Sequence, residues 1–448
     1  MKQHLSVILS VLKKKCYFLL ARYFLLFASI KLWRWRPHII VVTGSNGKTS
    51  LLHLLATQLQ DIAQISFRAN SSYGLPFDIL GLHRVSLSIW EWPKLILQAP
   101  LSLFLPVPPH RWYLAEADAD RPYEGKFLAS FLKPSIVIWL SSTKTHSMNF
   151  DAAVRAGKFP SVEAAIAHEY GYFLEYCSQL AIVSADSPEI QSQLSRTQAQ
   201  IIQLSRAQVS DPTYVFDFPT PSSTFRLLSD SRQSSISIPS IVPPVVGISA
   251  LAAKTLIEYL DRPFDPHFSG FENPPGRLSV FKGQNDTILF DSTYNANLES
   301  MTAVLEFFTQ VEADTKWLVL GDMIEQGNSE KLLHTQLAEL IARVACQRVI
   351  LYGPRVSKYT EPRLREIYQH ISESPPVIET VTQPQEALAL LQTYLKGGET
   401  ILFKGSRFLE GVIEQLLENP GDADKLCRRE SVWQKRRDTW GLYARSRV

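Results

Sequence analysis

Residues 39–50, IIVVTGSNGKTS, pass from a β-branched apolar run through a glycine-rich turn into Lys-Thr-Ser. Such a run fits a strand buried on both faces, the usual state in a parallel sheet. From Lys48 onward the apolar residues of SLLHLLATQL recur at helical spacing. Strand, glycine turn and helix in that order leave few folds open. They set backbone N–H groups and the positive end of a helix dipole at one point, which favours an anion. The expected occupant is the phosphate chain of a nucleoside triphosphate, ATP or GTP, cradled by Gly44, Ser45, Asn46 and Gly47 and by the start of the helix through Ser50. Lys48 is expected to reach the β- and γ-phosphates, and the Thr49 hydroxyl to hold Mg²⁺. The loop is shorter than the general pattern, because only Ser45 and Asn46 separate its glycines.

At 448 residues the chain has room for more than one domain. A net charge of +3 is too small for general nucleic-acid binding, so no nucleic-acid partner is expected. Cys16, Cys177, Cys346 and Cys427 lie far apart with no C-x-x-C pair. That argues against a zinc ribbon or a disulfide framework and fits a reducing, cytoplasmic setting.

Charge is uneven at the N-terminus. The first acidic residue is Asp61, whereas Lys2, Lys13, Lys14, Lys15, Arg22, Lys31, Arg34 and Arg36 precede the glycine loop. Arg22 and Lys31 interrupt the aromatic run CYFLLARYFLLFASIKLW, which makes it a poor transmembrane span. No small-residue cleavage site follows it, so a signal peptide is not expected. A basic helix with an aromatic face suits peripheral contact with the inner face of the cytoplasmic membrane. A helix packed on the first domain with its cations solvated is the other reading. Residues 86–112, apolar and broken by prolines, fit either a hydrophobic hairpin beside that helix or an insertion on the core.

Further along, WYLAEADAD, KPSIVIWLSS and LAIVSAD read as strands alternating with helices, and residues 62–85 as short strands around a turn. TILFDSTYNAN, TKWLVLGDM, RVILYGPR and TILFKGSR supply four more strands with polar or glycine-rich ends. The fold class is therefore α/β: a P-loop central ATPase domain with a parallel sheet, then a smaller Rossmann-like α/β domain. The expected boundaries are a basic helix over 1–36, the central domain over 37–272, the C-terminal domain over 273–420 and a basic tail over 421–448.

TGSNGKTS, the acidic strand end at Glu116, His146, PPGR at 274–277, DSTYNAN at 291–297, LGDM at 320–323 and KGSR at 404–407 occur in this order. Order and spacing resemble the Mur ligase family over roughly residues 37–415, and within it the members that add D-alanyl-D-alanine to a muramoyl tripeptide. The resemblance implies an ATP-dependent amide ligase of cell-wall precursor synthesis. Its partners would be a muropeptide carboxylate and an amino-acid or dipeptide co-substrate. ATP would convert the carboxylate to an acyl phosphate, which an amine then attacks. By the same resemblance Thr49 and Glu116 hold a first Mg²⁺, and His146 a second. Arg277, Asn295 and Asn297 lie on the nucleotide side. Asp291, Lys404, Ser406 and Arg407 meet the substrate, with arginine suited to a carboxylate by its planar fork. The two-domain layout would close over bound substrates and exclude water.

Three departures matter. Where the family carries a carbamylated lysine, SVEAAIAHEYG places Glu169, which is expected to supply the missing anion to the second Mg²⁺. The helix VVGISALAAK lacks the family's asparagines near the adenine. Only a basic, aromatic helix precedes the loop where the family has a UDP-binding domain, which suggests a lipid-linked acceptor. A folylpolyglutamate synthase-like substrate, or a membrane-associated nucleotide-binding protein with weak catalysis, stays open on sequence alone.

Overall fold

The computed structural model describes all residues except 1, 68, 85–88, 145–146, 217–220, 229–233, 325, 372–373, 406 and 445–448, and only the backbone of 2–18, 89 and 147. Along the first part of the chain run α1 (Lys2–Trp35), β1 (His38–Thr43), α2 (Lys48–Leu59), β2 (Ala63–Ser66), α3 (Gly74–Leu80), α4 (Trp92–Leu101), β3 (Trp112–Ala117), α5 (Glu124–Leu132), β4 (Ile136–Trp139), α6 (Asp151–Arg155), α7 (Val162–Glu175), β5 (Leu180–Ser184), α8 (Pro188–Gln191) and β6 (Gln200–Leu204). The strands form one parallel sheet in the order β2-β3-β1-β4-β5-β6. From β1 the chain builds one half of the sheet and then the other, so the direction of winding reverses beside β1. Ligands of open α/β sheets bind outside the carboxyl ends of strands at such a reversal. Ile40, Val41, Val42 and the whole of β4 are buried, as expected for strands covered on both faces.

Contacts divide the chain into two compact units, residues 1–142 with 163–204 and residues 143–162 with 205–448. The segment 205–272, read from sequence as part of the central domain, groups with the C-terminal sheet. It holds the small antiparallel sheet β7 (Thr213–Val215), β8 (Ser222–Arg226) and β9 (Ser235–Ile238), then α9 (Val246–Tyr259). Tyr214 packs edge-on against Phe307, with ring centroids 5.0 Å apart.

The second unit continues through β10 (Ser279–Lys282), β11 (Ile288–Ser292), α10 (Leu298–Gln310), β12 (Lys316–Gly321), α11 (Glu330–Ile341), β13 (Arg348–Tyr352), α12 (Glu361–Ile371), β14 (Val377–Val381), α13 (Pro384–Tyr394), β15 (Thr400–Lys404), α14 (Leu409–Leu416) and α15 (Ser431–Asp438). Its main sheet has the order β10-β11-β15-β12-β13-β14, parallel except for β10. One apolar core covers each face. Phe290, Leu318, Leu320 and Leu402 face one, and Leu289, Val319, Ile401 and Phe403 the other. Residues 421–448, expected as a tail, contribute α15, whose buried Arg437 pairs with Glu410 of α14 at 3.5 Å.

The N-terminal helix packs on its own unit. Ala21, Phe24, Ala28 and Lys31 recur along one face and are buried. The Phe24 ring meets Phe77 of α3 edge-on at 4.7 Å, and burying such a ring stabilises the contact by about 2 kcal/mol. Residues 62–85 yield β2 and a helix instead of strands around a turn. Leu75, Phe77, Ile79 and Leu80 are buried on α3, at a spacing that suits a helix lying under α1.

Candidate active site

In the first unit the glycine loop joins β1 to α2 as the sequence requires. Gly47 caps α2 with φ 77°, and Gly44 has φ 120°. A Cβ on Gly44 would lie 2.6 Å from the Ser141 carbonyl oxygen, so backbone and loop approach too closely for any side chain there. Ser141, just beyond β4, pins the turn: its carbonyl accepts from Ser45 N at 3.0 Å, and its hydroxyl accepts from Asn46 N at 2.8 Å. The first helical bond of α2 runs from Leu51 N to Gly47 O. The amides of Lys48, Thr49 and Ser50 therefore precede the intrahelical ladder and point out of the helix start.

Lys48 is buried and bent back over its own loop. Its Nζ lies 2.8 Å from Asp118 Oδ1 and donates to the carbonyl oxygens of Gly44 and Ser45. Burial alone would lower its pKa, but the carboxylates of Asp118, Glu116 and Asp120 outweigh burial and raise it, so Lys48 is a fixed cation. Register explains the neighbours. Val42 pairs with Glu116 across β1 and β3, which brings the acidic strand end beside the loop. Thr49 Oγ1 donates to Glu116 Oε2 at 2.9 Å, and Asn70 Nδ2 lies 3.4 Å from Glu116 Oε1 and 2.9 Å from Asp118 Oδ2. The Tyr170 hydroxyl of α7 donates to Asp118 Oδ1 at 3.1 Å. Asp118, Asn70 and Tyr170 were not singled out from sequence. The alternation of acids at 116, 118 and 120 was the available signal, since alternate residues of an extended segment share a side.

The Thr49 hydroxyl and the Glu116 carboxylate form an oxygen-only donor pair that fits Mg²⁺, which is usually held by one or two carboxylates together with substrate phosphates. No group of three or more His, Cys, Asp or Glu among the described residues is placed to hold a metal. His146, expected at a second metal, lies outside the described residues. Glu169, expected at the second Mg²⁺, is engaged at the start of α5. Its Oε1 accepts from Tyr123 N at 2.8 Å and its Oε2 from Gly125 N at 3.1 Å, so the carboxylate caps the start of α5. Burial raises its pKa and these amides pull it back down. Both oxygens are engaged by donors at a helix N-terminus, where a carboxylate is stabilised without a metal.

In the second unit Asp291 and Ser292 end β11 beside Phe403 and Lys404 of β15. Asp291 Oδ1 accepts from Thr293 N at 2.9 Å and Thr293 Oγ1 at 2.6 Å, while its buried Oδ2 has no hydrogen-bond partner among the described residues. Burial pushes its carboxyl up to about 6. Lys404 Nζ donates to the Asn295 carbonyl at 2.6 Å. Burial, with the Arg277 charge adding to it, lowers its pKa to about 7 against the pull of Asp291. Arg277 stacks over Tyr294, 4.5 Å from the ring centroid. Arg407, with φ 36°, is exposed after β15, and Ser406 lies outside the described residues.

Other motif residues make hydrogen bonds within the second unit. Asn297 caps α10 by accepting from Ser300 N at 2.8 Å, and the Asn295 side chain accepts from Ala296 N at 2.8 Å. Asp322 of LGDM accepts from Val356 N at 2.8 Å and pairs with Arg355 at 3.2 Å, which ties the end of β12 to the segment after β13.

Comparison with known proteins bears on these arrangements. Residues 276–407 match the model of the Mur ligase glutamate ligase domain. The UDP-N-acetylmuramoyl-tripeptide–D-alanyl-D-alanine ligase of Escherichia coli K12 is 22% identical over 85% of this chain and 77% of its own length. The corresponding ligase of Bacillus subtilis is 29% identical, over 34% of this chain and only 33% of its own length. The crystal structure of MurF ligase from Thermotoga maritima in complex with ADP superposes with a TM-score of 0.67 at 17% identity, covering 93% of this chain and 84% of that one. MurF from Acinetobacter baumannii gives 0.68 at 21% identity, covering 89% and 80%.

Proposed function

We propose that this chain, a Mur ligase by its fold and its C-terminal domain, uses ATP to join a muropeptide carboxylate to D-alanyl-D-alanine or a related amino unit. One observation carries the reading: Lys48, Thr49 and Glu116 meet at the carboxyl end of β1, beside the helix start of α2. A carboxylate is a poor electrophile. Its oxygen attacks the γ-phosphorus of ATP, ADP leaves, and an acyl phosphate remains. The amine then attacks the carbonyl carbon, inorganic phosphate departs, and the nitrogen loses a proton to give the amide.

Lys48 and the first amides of α2 hold the negative charge of the transferring phosphoryl group. Thr49 and Glu116 would hold Mg²⁺, which supplies further neutralisation of phosphate charge when bound. Ser45 and Asn46 stay fixed through Ser141, so the cradle is shaped before the nucleotide arrives. Displacing Lys48 from Asp118 is part of nucleotide binding, since one ammonium cannot serve both anions fully. In the second unit Asp291, Lys404, Ser406 and Arg407 are assigned to the substrate, and Arg277, Asn295 and Asn297 to a nucleotide. The proposed setting is the cytoplasm, with peripheral contact at the inner membrane face and either a UDP-linked or a lipid-linked acceptor.

The test is phosphate release by the full chain with ATP, Mg²⁺ and each acceptor in turn. The reading expects release only when a muropeptide and an amine are supplied together. Steady ATP hydrolysis that ignores both substrates would reject it.

A further inference from the structure

The outward faces of the N-terminal helices carry large exposed apolar side chains. On α4 the inner positions Leu95 and Ala99 are buried, as a packed helix requires, yet the opposite face is apolar as well. Leu97 is 68% exposed, Leu101 62%, and Phe104, in the turn that follows, 86%. Trp90, just ahead of the helix, is 85% exposed. The described part of α1 repeats the pattern. Ala21, Phe24 and Ala28 face the domain, whereas Leu26, Ile30 and Trp33 stand on the far side, with Trp33 68% exposed. The two helices are neighbours. The Tyr23 hydroxyl donates to Ile96 O at 2.8 Å, and the Arg34 guanidinium donates to Leu103 O. Two adjacent helices that both turn large apolar side chains to water make a patch of the kind that marks an interaction surface.

Charge identifies the partner. Exposed Arg22, Lys94, Arg34 and Arg36 accompany the apolar residues, and Arg36 lies 5.8 Å from the Trp33 ring centroid. No carboxylate precedes Asp61 in the chain, and Glu91, the acid nearest α4, is 3.7 Å from Arg84. Apolar side chains ringed by cations, with an aromatic among them, fit the headgroup region of an anionic bilayer. No helix of the described residues is long and apolar enough to cross a membrane, so the contact lies on the surface. We propose that the outward faces of α1 and of α4 with its following turn form one docking surface for an anionic lipid bilayer. The surface rests on the peripheral membrane contact proposed above and names its residues, is independent of the ligase chemistry, and gives residues 90–105 a task.

The test uses the full chain and vesicle flotation, with phosphatidylcholine alone or mixed with phosphatidylglycerol. Binding is expected on the mixed vesicles, weaker on the neutral ones and weaker in high salt. The double variant L97E/F104E is expected to bind mixed vesicles about a hundredfold more weakly, from the loss of two buried apolar side chains. Its melting temperature and ATP affinity should match the parent. If that variant melts early, R22E/K94E decides instead, through loss of the preference for phosphatidylglycerol. Parent protein that ignores both vesicles, or variants that bind as the parent does, would overturn the proposal. So would a dimer that L97E/F104E dissociates, since a second copy would then be the occupant.

Discussion

Two buried lysines divide the chemistry of this molecule. Lys48 begins the helix after β1 in the first unit, and Lys404 ends β15 in the second. Both lose most of their water, yet their pKa values move in opposite directions. Lys48 has Asp118 at 2.8 Å with Glu116 and Asp120 nearby, and it is raised. Lys404 has a carbonyl oxygen at 2.6 Å and the Arg277 charge as neighbours, and it falls to about 7. Burial alone therefore does not set the state of a lysine; the charge of its nearest partners does. The first site holds a permanent cation among carboxylates. The second holds a group that changes charge near neutral pH, beside an aspartate that does so at about 6.

The contrast can be broken most severely at Lys48. Lys48→Ala should lower kcat by about a thousandfold, the scale of losing a preorganised charge at a transferring group. Steady-state phosphate release measures this, and a loss below tenfold would remove Lys48 from the reaction. Next in size is its partner. Asp118→Ala leaves a buried cation without its carboxylate, which should cost about 3 kcal/mol in a denaturant melt. Saturating ATP should shrink that cost, because phosphate replaces the missing anion; an equal cost with and without ATP would show that Lys48 does not turn to the nucleotide.

Lys404 and Asp291 make the stability of the second unit depend on pH. A lysine whose folded pKa lies below its unfolded value contributes stability that is present above about 10.5 and lost as pH falls to about 7. Asp291 has the opposite sign. Its raised pKa contributes stability that is present below 3.8 and lost as pH rises through about 6. Lys404→Met should therefore gain several kcal/mol at pH 6 and little at pH 10. Asp291→Asn should flatten a decline of roughly 3 kcal/mol between pH 4 and pH 6. Melts across pH that match the parent in shape would contradict both assignments. The smallest effect belongs to Glu169. Glu169→Gln should cost about 1 kcal/mol by weakening the cap on α5 and leave the Mg²⁺ requirement of turnover unchanged. A raised Mg²⁺ requirement would return Glu169 to the metal.

Local pattern made much of this legible. IIVV, the two glycines and the helical spacing after Lys48 specify strand, turn and helix without help from distant residues, and those elements form as read. Asp118 was obscured because a row of alternating acids does not say which member faces a lysine; the pairing of Val42 with Glu116 decides it. The capping contacts of Glu169 are hidden from local pattern for a related reason. Its amide partners, Tyr123 and Gly125, lie far away in sequence. Asp322 likewise spends its carboxylate on Arg355 and Val356. Asn297, expected on the nucleotide side, accepts from Ser300 N at the start of α10, a contact between residues three apart in sequence. The outward face of α4 could not be read at all, because apolar residues occur on both of its sides and only packing shows which side the protein covers.

Activation of a carboxylate by ATP leaves an isotopic trace in the phosphate that is released. A muropeptide labelled with ¹⁸O in its reacting carboxylate would be turned over with ATP and D-alanyl-D-alanine. Formation of an acyl phosphate transfers one labelled oxygen to the inorganic phosphate released with each amide bond. Mass spectrometry of that phosphate should therefore show one ¹⁸O per product formed. Released phosphate free of ¹⁸O would mean that water, not the carboxylate, attacks ATP, and would contradict the account.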